Sequence, residues 1–206
     1  FIDGAVKNGI TKDVANFVFT KIEPFAQYGF NKSHAAAYAI IAYQTAFLKT
    51  YYKEDFIAAT MSTELTNTSK LREFVEELKR LNVEIIRPSI NKCFAEFKAM
   101  EKKIYYGLAA VKNVGSEAIS NIINEREKNG KYKSFSDFIN RVNSKDVNKL
   151  QLEGLTKAGV FDELEKDRNK IFNSIPKIIQ KIKIINDDKI NNQSSLFDNS
   201  ENFSRE

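Results

Sequence analysis

The chain has 206 residues, of which 42% are hydrophobic, and 32 Lys and Arg against 27 Asp and Glu give a net charge of +5. This length holds one large domain or two small ones, with enough apolar residues for a core. The single cysteine excludes an internal disulfide framework and favours a cytoplasmic location. No apolar run approaches the roughly 20 residues of a membrane helix, so we expect no membrane partner. The basic excess fits a nucleic-acid partner.

Residues 1–82 have the apolar spacing of a helical region. Before a turn at 28–31 the chain carries an apolar stripe, formed by Ala15, Phe17, Val18, Ile22 and Phe25. Helices are predicted next from about 33 to 52 and from about 53 to 64, and another follows the cap-rich break at 65–69. Apolar side chains at this spacing are most simply core-facing.

Residues 83–106 show a different pattern. Val83–Ile86 and Lys103–Tyr106 are rich in β-branched and aromatic residues, which is typical of short strands. Pro88 ends the first of them, since proline cannot donate to a ladder. We therefore expect a small strand-containing connector between two helical parts.

Residues 107–185 predict a second helical module. Apolar residues at helical spacing indicate a helix ending near Gly130, and a second helix pair has Gly159 at its end. A last helix contains Pro176, which is expected to kink or split it. Residues 186–206 are polar, with Leu196 and Phe197 as the one apolar island, and predict a disordered tail. The predicted fold class is thus mainly α.

The turn at Gly29 leads into a helix start that combines several features of an anion site. Ser33 is a good N-cap, and three alanines follow His34, the chain's only histidine. Free backbone N–H groups at this helix start, with Lys32 beside them, have the composition of a phosphate site. An ordinary capped helix with a half-buried histidine would have the same sequence.

A second candidate site lies at Lys112–Gly115, between two apolar helical segments. This segment resembles the hairpin of a helix-hairpin-helix element, in which glycines let backbone N–H groups approach a DNA phosphate. Asn113 stands where the first glycine is usual, and asparagine tolerates positive φ. Three further lysines lie nearby in sequence, namely Lys128, Lys131 and Lys133. A helical turn without a ligand remains the alternative, and the second unit, Leu152–Asp162, lacks a glycine hairpin at the equivalent place.

Several motifs, in order, resemble those of the bacterial replicative DNA polymerase III alpha-subunit family. The most extended is YGFNKSHAAAYAIIAYQTAFLKTYYKEDFIAATMS. The segments that carry the resemblance are Tyr28–Ser62, Arg87–Asn91, Tyr106–Gly115, Lys133–Phe138, Asn148–Asp162 and Gln193–Phe197. The resemblance implies distal fingers over 1–82, a connector over 83–106, a tandem helix-hairpin-helix domain over 107–185 and a clamp-binding tail over 186–206.

The resemblance also implies roles for particular residues. It places the incoming nucleotide against the fingers residues Asn31, Lys32, Ser33, His34 and Tyr38, where Tyr38 faces either the base or the core. Duplex DNA is expected at Lys112, Asn113, Val114 and Gly115. The sliding clamp is expected at the tail, with Gln193 hydrogen-bonding at the edge of a pocket that buries Leu196 and Phe197.

No catalytic set, metal site or cofactor site is predicted within the chain. One histidine and one cysteine cannot form the usual hydrolytic triad or metal cluster, and no GxxxxGKS loop is present. The resemblance places the catalytic carboxylates and Mg²⁺ in a palm upstream of Phe1, so the chain is expected to be an inactive piece of a DNA-directed DNA polymerase. Its partners would be primer-template DNA, a deoxynucleoside triphosphate, the sliding clamp and other replisome subunits. The alternative is a stand-alone, non-enzymatic helix-hairpin-helix module.

Overall fold

The computed structural model describes residues 1–28 and 32–190. The chain divides into two compact units, one comprising Phe1–Tyr51 and the other beginning at Tyr52. The described residues are mainly helical, with a three-stranded sheet in the second unit, which confirms the predicted fold class. Among the described helices, none is long and apolar enough to cross a bilayer.

In its described part, the first unit contains α1 (Ile2–Lys7), α2 (Lys12–Tyr28) and α3 (Lys32–Tyr51). The α1 helix ends in a left-handed glycine, Gly9, at φ 83°, and the N–H of Ile10 donates back to the Ala5 carbonyl at 3.1 Å. The rings of Phe1 and Phe19, with centroids 5.8 Å apart, join α1 to α2.

The apolar stripe of α2 does not form the core that its spacing predicts. Ala15 is buried, but Phe17 and Phe25 are 65% and 68% exposed. The α3 helix contains no buried residue. The prediction of a core face is therefore wrong for this unit, because the described residues of the unit are too few to cover the apolar side chains of α2 and α3.

The second unit opens with α4 (Lys53–Thr63) and α5 (Thr68–Arg80), which agree with the predicted helices. The Asn67 side chain caps α5 by accepting a hydrogen bond from the Lys70 N–H. Asn82, at φ 52°, ends the helix. The chain then turns into the sheet.

The sheet has the order β1-β3-β2, with β1 at Glu84–Ile86, β2 at Lys98–Met100 and β3 at Lys103–Tyr105. β1 pairs with β3 in parallel, and β2 pairs with β3 antiparallel. The two predicted strands thus form and pair with each other. Ile104 at the sheet centre is fully buried against α4 and α5, in a core whose buried members are Ile57, Ala58, Met61, Leu71, Leu78, Val83, Phe97 and Ile104.

A larger core holds the rest of the unit. It is covered by a single 3₁₀ turn (Leu108–Ala110) and by four helices among the described residues, α6 (Ser116–Asn129), α7 (Phe135–Arg141), α8 (Lys149–Lys157) and α9 (Arg168–Ile190). The largest fully buried side chains of this core include Tyr132, Phe138 and Phe161. The rings of Phe138 and Phe161 lie 4.9 Å apart.

The α9 helix runs unbroken through Pro176, so of the two effects expected from the proline the split does not occur, and the kink stays a prediction. Ile175 and Ile178, on either side of the proline, lie in the core. The helix also continues to Ile190 and so includes the first five residues of the predicted tail. The Asn186 amide explains this extension, since it donates to the Val142 carbonyl at 3.2 Å.

The connector is tied to the helical module by its Arg87–Asn91 segment. The N–H of Ile90 donates to the Val160 carbonyl at 2.9 Å. The Asn91 amide pairs with both backbone groups of Tyr132, each at 2.9 Å. Ile90 belongs to the larger core, so connector and module share one unit. The domain boundaries predicted from sequence stay a prediction.

Candidate nucleic-acid interface

The hairpin at Lys112–Gly115 joins the 3₁₀ turn to α6 and is open to solvent. The N–H of Val114 donates to the Val111 carbonyl at 3.1 Å, which closes a tight turn. Asn113 is the third residue of this turn and has φ 67°, a conformation that favours glycine or asparagine. The expectation that Asn113 can replace the usual glycine is therefore confirmed for the backbone.

Gly115 is the N-cap of α6, and the packing inside the protein does not require a glycine at this position. Its φ of −77° is accessible to any residue, and no side chain caps the helix here. A Cβ built at this position meets only the Gln151 Nε2, at 3.8 Å. The missing side chain thus leaves the first N–H groups of a 14-residue helix exposed. Glu117 in the same turn is the one acidic residue beside them.

A residue that our sequence reasoning missed, Gly154, supports this hairpin from behind. A Cβ on Gly154 of α8 would lie 2.5 Å from the Lys112 carbonyl oxygen, so the hairpin rests directly on the α8 backbone. A glycine inside a helix costs about 1 kcal/mol relative to alanine. A glycine inside a predicted helix is therefore the sequence signal that could have indicated a close backbone contact here.

The second hairpin, after α8, has glycine on only one side of its central apolar residue, so it lacks the complete glycine hairpin, as expected from the sequence. Gly159 has φ 77°, and the N–H groups of Gly159 and Val160 donate to the Thr156 and Leu155 carbonyls, each at 3.0 Å. Gly159-Val160-Phe161 repeats the pattern of Asn113-Val114-Gly115. However, Phe161 replaces the second glycine and is 1% exposed, so this position is closed by the core.

An ion pair covers the second hairpin. The Arg168 guanidinium donates to Asp162 Oδ1 at 2.7 Å and to the Lys157 carbonyl at 3.1 Å, and it also pairs with Asp162 Oδ2. A side chain at Gly159 would collide with this guanidinium. The hydrogen bonds from Arg168 hold the pKa of Asp162 below its usual value. The second hairpin is thus covered by an ion pair between two residues of the chain itself.

The lysines expected beside the first hairpin do not lie there. Lys128 is thirteen residues after Gly115, near the opposite end of α6, and a helix rises about 1.5 Å per residue, roughly 18–20 Å in all. Lys131 and Lys133 follow beyond that end. Sequence proximity failed because a straight helix intervenes.

The fingers residues lie at the start of α3. Lys32, Ser33 and His34 form its first turn and are exposed. Ser33 is the second helical residue and not the N-cap that we expected, because the helix already begins at Lys32. His34 is exposed where the alternative made it half-buried, and its ring lies 4.4 Å from that of Tyr38, which is 60% exposed. Asn31 lies outside the described residues.

The predicted clamp-binding residues, Gln193, Leu196 and Phe197, also lie outside the described residues. Their role stays a prediction.

Comparison with known proteins finds a family match for the hairpin region and relatives for nearly the whole chain. Residues 82–171 match the helix-hairpin-helix motif family. The DNA polymerase III subunit alpha of Borreliella burgdorferi is 45% identical over 200 residues, which cover 96% of this chain and 17% of that protein. Over this segment the chain belongs to the DNA polymerase III alpha-subunit family. This confirms the resemblance found in the sequence.

Further relatives of the same name also align with most of the chain. The subunit alpha of Campylobacter jejuni is 40% identical over 201 residues, covering 96% of this chain. That of Thermus aquaticus is 40% identical over 180 residues, covering 87%. The chain spans about 17% of the length of the first two relatives and 15% of the third.

Proposed function

We propose that the chain forms the distal fingers, a duplex-DNA contact and a clamp attachment of a polymerase that extends a primer on a template. The similarity supports this function over a stand-alone binding module, because the first two relatives align with 96% of the chain and not only with the hairpin region. Chemistry at the primer end belongs, in this proposal, to a palm with Mg²⁺. Within the described ranges, no three His, Cys, Asp or Glu side chains group where a metal could be held.

The first hairpin contacts the DNA backbone. Its single strongest support is Gly115, which packing does not require and whose missing side chain exposes the α6 N-terminus. Backbone N–H groups and the helix dipole attract a phosphate without reading a base. Lys112 adds a positive charge at the same turn.

The nucleotide and clamp contacts complete the proposal. Lys32, with Asn31, Ser33 and His34, faces the triphosphate or base of the incoming nucleotide, and α3 offers Tyr38 one turn further along. Gln193, Leu196 and Phe197 hold the sliding clamp. The α3 helix start and the polymerase similarity support the first contact, and the tail sequence supports the second.

The hairpin contact is tested by Gly115→Val. A branched side chain blocks the phosphate, so affinity for a duplex of about 20 base pairs should fall and the salt slope should decrease by about one. Fluorescence anisotropy over a salt series measures both. Because valine is also a poorer N-cap, urea unfolding accompanies the binding experiment.

A matched control is Gly4→Val in α1, where a Cβ meets nothing within 4 Å. This variant should bind as the parent does. If Gly115→Val folds and binds like Gly4→Val, the hairpin is a structural turn without a DNA role.

A further inference from the structure

The α9 helix has a formal net charge of +4 over its range Arg168–Ile190, from six basic and two acidic residues. From Arg168 to Asn186, α9 contains five basic residues and no acidic residue, the five being Arg168, Lys170, Lys177, Lys181 and Lys183. This stretch thus has a formal charge of +5, and Asp187, Asp188 and Lys189, which follow it in the same helix, bring the total for α9 to +4.

The basic residues of α9 differ in how far they are neutralised. The inner face of the helix is buried in the core through four isoleucines, Ile171, Ile175, Ile178 and Ile182. Arg168 and Lys170 are paired with Asp162 and Glu165. Lys177 and Lys183, by contrast, are exposed and have no ion-pair or hydrogen-bond partner in the part of the chain that is described. Their charges remain available to a partner.

The second hairpin cannot repeat the contact proposed for the first. Phe161, which is buried in the core, stands where the sequence pattern of the first hairpin has Gly115, and the Asp162 carboxylate next to it is paired with Arg168. Arg168 is already bonded to that carboxylate and to the Lys157 carbonyl. A second attachment of this unit to DNA would therefore need another surface.

We propose that the solvent-exposed half of α9, which Lys177 and Lys183 flank about 120° apart around the helix axis, is a second contact with the DNA phosphate backbone, in place of the second hairpin. This inference rests on the proposed duplex contact at Gly115. Lysine ammonium groups are compact point charges that bind phosphates independently of sequence. The charge complementarity favours a polyanion, and both surfaces belong to the same unit with one shared core.

The test compares the 206-residue chain with its Lys177→Gln, Lys183→Gln double variant on a random-sequence duplex of about 20 base pairs. Two lost phosphate contacts should lower the salt slope by about two. Between about 50 and 200 mM salt, the parent should then lose about tenfold more affinity than the variant. Both substitutions are at exposed positions, and circular dichroism checks that the helix is retained.

A matched control removes two lysines that already have partners, Lys70 and Lys79 of α5, which pair with Glu73 and Glu76. It changes the net charge equally and should retain the parent's slope. An unchanged slope for the α9 variant, or an equal decrease in the control, overturns the proposal. So does weaker binding to a glutamate-rich peptide with unchanged binding to the duplex, which would assign the face to an acidic protein.

Measuring the salt slope of Gly115→Val in parallel distinguishes the hairpin contact from the α9 contact. A normal slope for Gly115→Val with a reduced slope for the α9 variant removes the hairpin contact and leaves α9. The reverse result removes α9 and leaves the hairpin.

Discussion

Asn113 and Gly115 divide between them the two properties that glycine supplies in a phosphate-binding hairpin. Asn113 provides the left-handed backbone at φ 67°. Gly115 provides open space beside the first N–H groups of α6. The residue types needed for each property are different, which explains why one glycine can be replaced by asparagine while the other is proposed to be required.

Lys32 is the residue whose proposed role is most directly tested by kinetics. In the full-length polymerase, Lys32→Ala should lower kcat/KM for the incoming nucleotide roughly 10–100-fold, because a charge-assisted hydrogen bond contributes about 1.5–3 kcal/mol. Steady-state kinetics with varied nucleotide would show a raised KM or a lowered kcat.

Lys12→Ala, an exposed lysine at the start of α2, is the corresponding control and should have parental kinetics. Normal kinetics for alanine variants of all four residues, Asn31, Lys32, Ser33 and His34, would show that the helix start has no nucleotide role.

At the scale of elements, α8 acts as the support of the first hairpin. Its N-terminus is fixed by a capping box between Asn148 and Gln151, and Gln151 also lies beside Gly115. One turn later Gly154 meets the Lys112 carbonyl. The position of the hairpin therefore depends on a helix about forty residues further along the chain.

Gly154→Ala should destabilise the protein by about 1–3 kcal/mol, although alanine is the better helix former. The added methyl group would lie 2.5 Å from the Lys112 oxygen, and backbone cannot move aside as a flexible side chain would. Urea unfolding measures the change, and weaker duplex binding should accompany it.

Gly4→Ala in α1 places the same methyl group where nothing lies within 4 Å, and it should be neutral or slightly stabilising. Equal unfolding free energies for Gly154→Ala and the parent would contradict the close contact between α8 and the hairpin.

At the scale of the molecule, the two units differ in how completely they bury their apolar residues. The second unit contains both hydrophobic cores. In the described part of the first unit, Ala15 is the only buried apolar residue. The proposed fingers contact thus belongs to the sparsely packed unit, and the proposed DNA contacts belong to the well-packed one.

The tail provides a prediction for the whole assembly. Burying Leu196 and Phe197 in a clamp pocket contributes roughly 3–6 kcal/mol before the cost of ordering the tail. We therefore expect an affinity in the micromolar range or weaker. Calorimetry with the cognate clamp should show that the Leu196→Ala, Phe197→Ala double variant no longer binds.

The neighbouring Ser194→Ala, Ser195→Ala double variant should keep the parental affinity, since the serines are not the proposed anchors. If both double variants bind the clamp as the parent does, the tail is a linker without a clamp role.

The sequence by itself determined the local structure and the family. Asn67, Asn113 and Gly159 specify caps and turns through their own backbone preferences, and β-branched runs specify β1 and β3. These features depend on residues within a few positions of each other, so periodicity and residue type suffice. Several motifs in one order also identified the polymerase similarity, which the relatives confirm.

Only the tertiary structure decided which distant residues meet. In the structure, Lys128 lies near the end of α6 that is far from the hairpin, and Gly154 contacts the Lys112 carbonyl. Arg168 covers the second hairpin through its bond to the Lys157 carbonyl. The tertiary structure also exposed the α2 stripe that spacing alone marked as core. The physical reason is that a helix pattern specifies which face is apolar, whereas burial depends on whether another element covers that face.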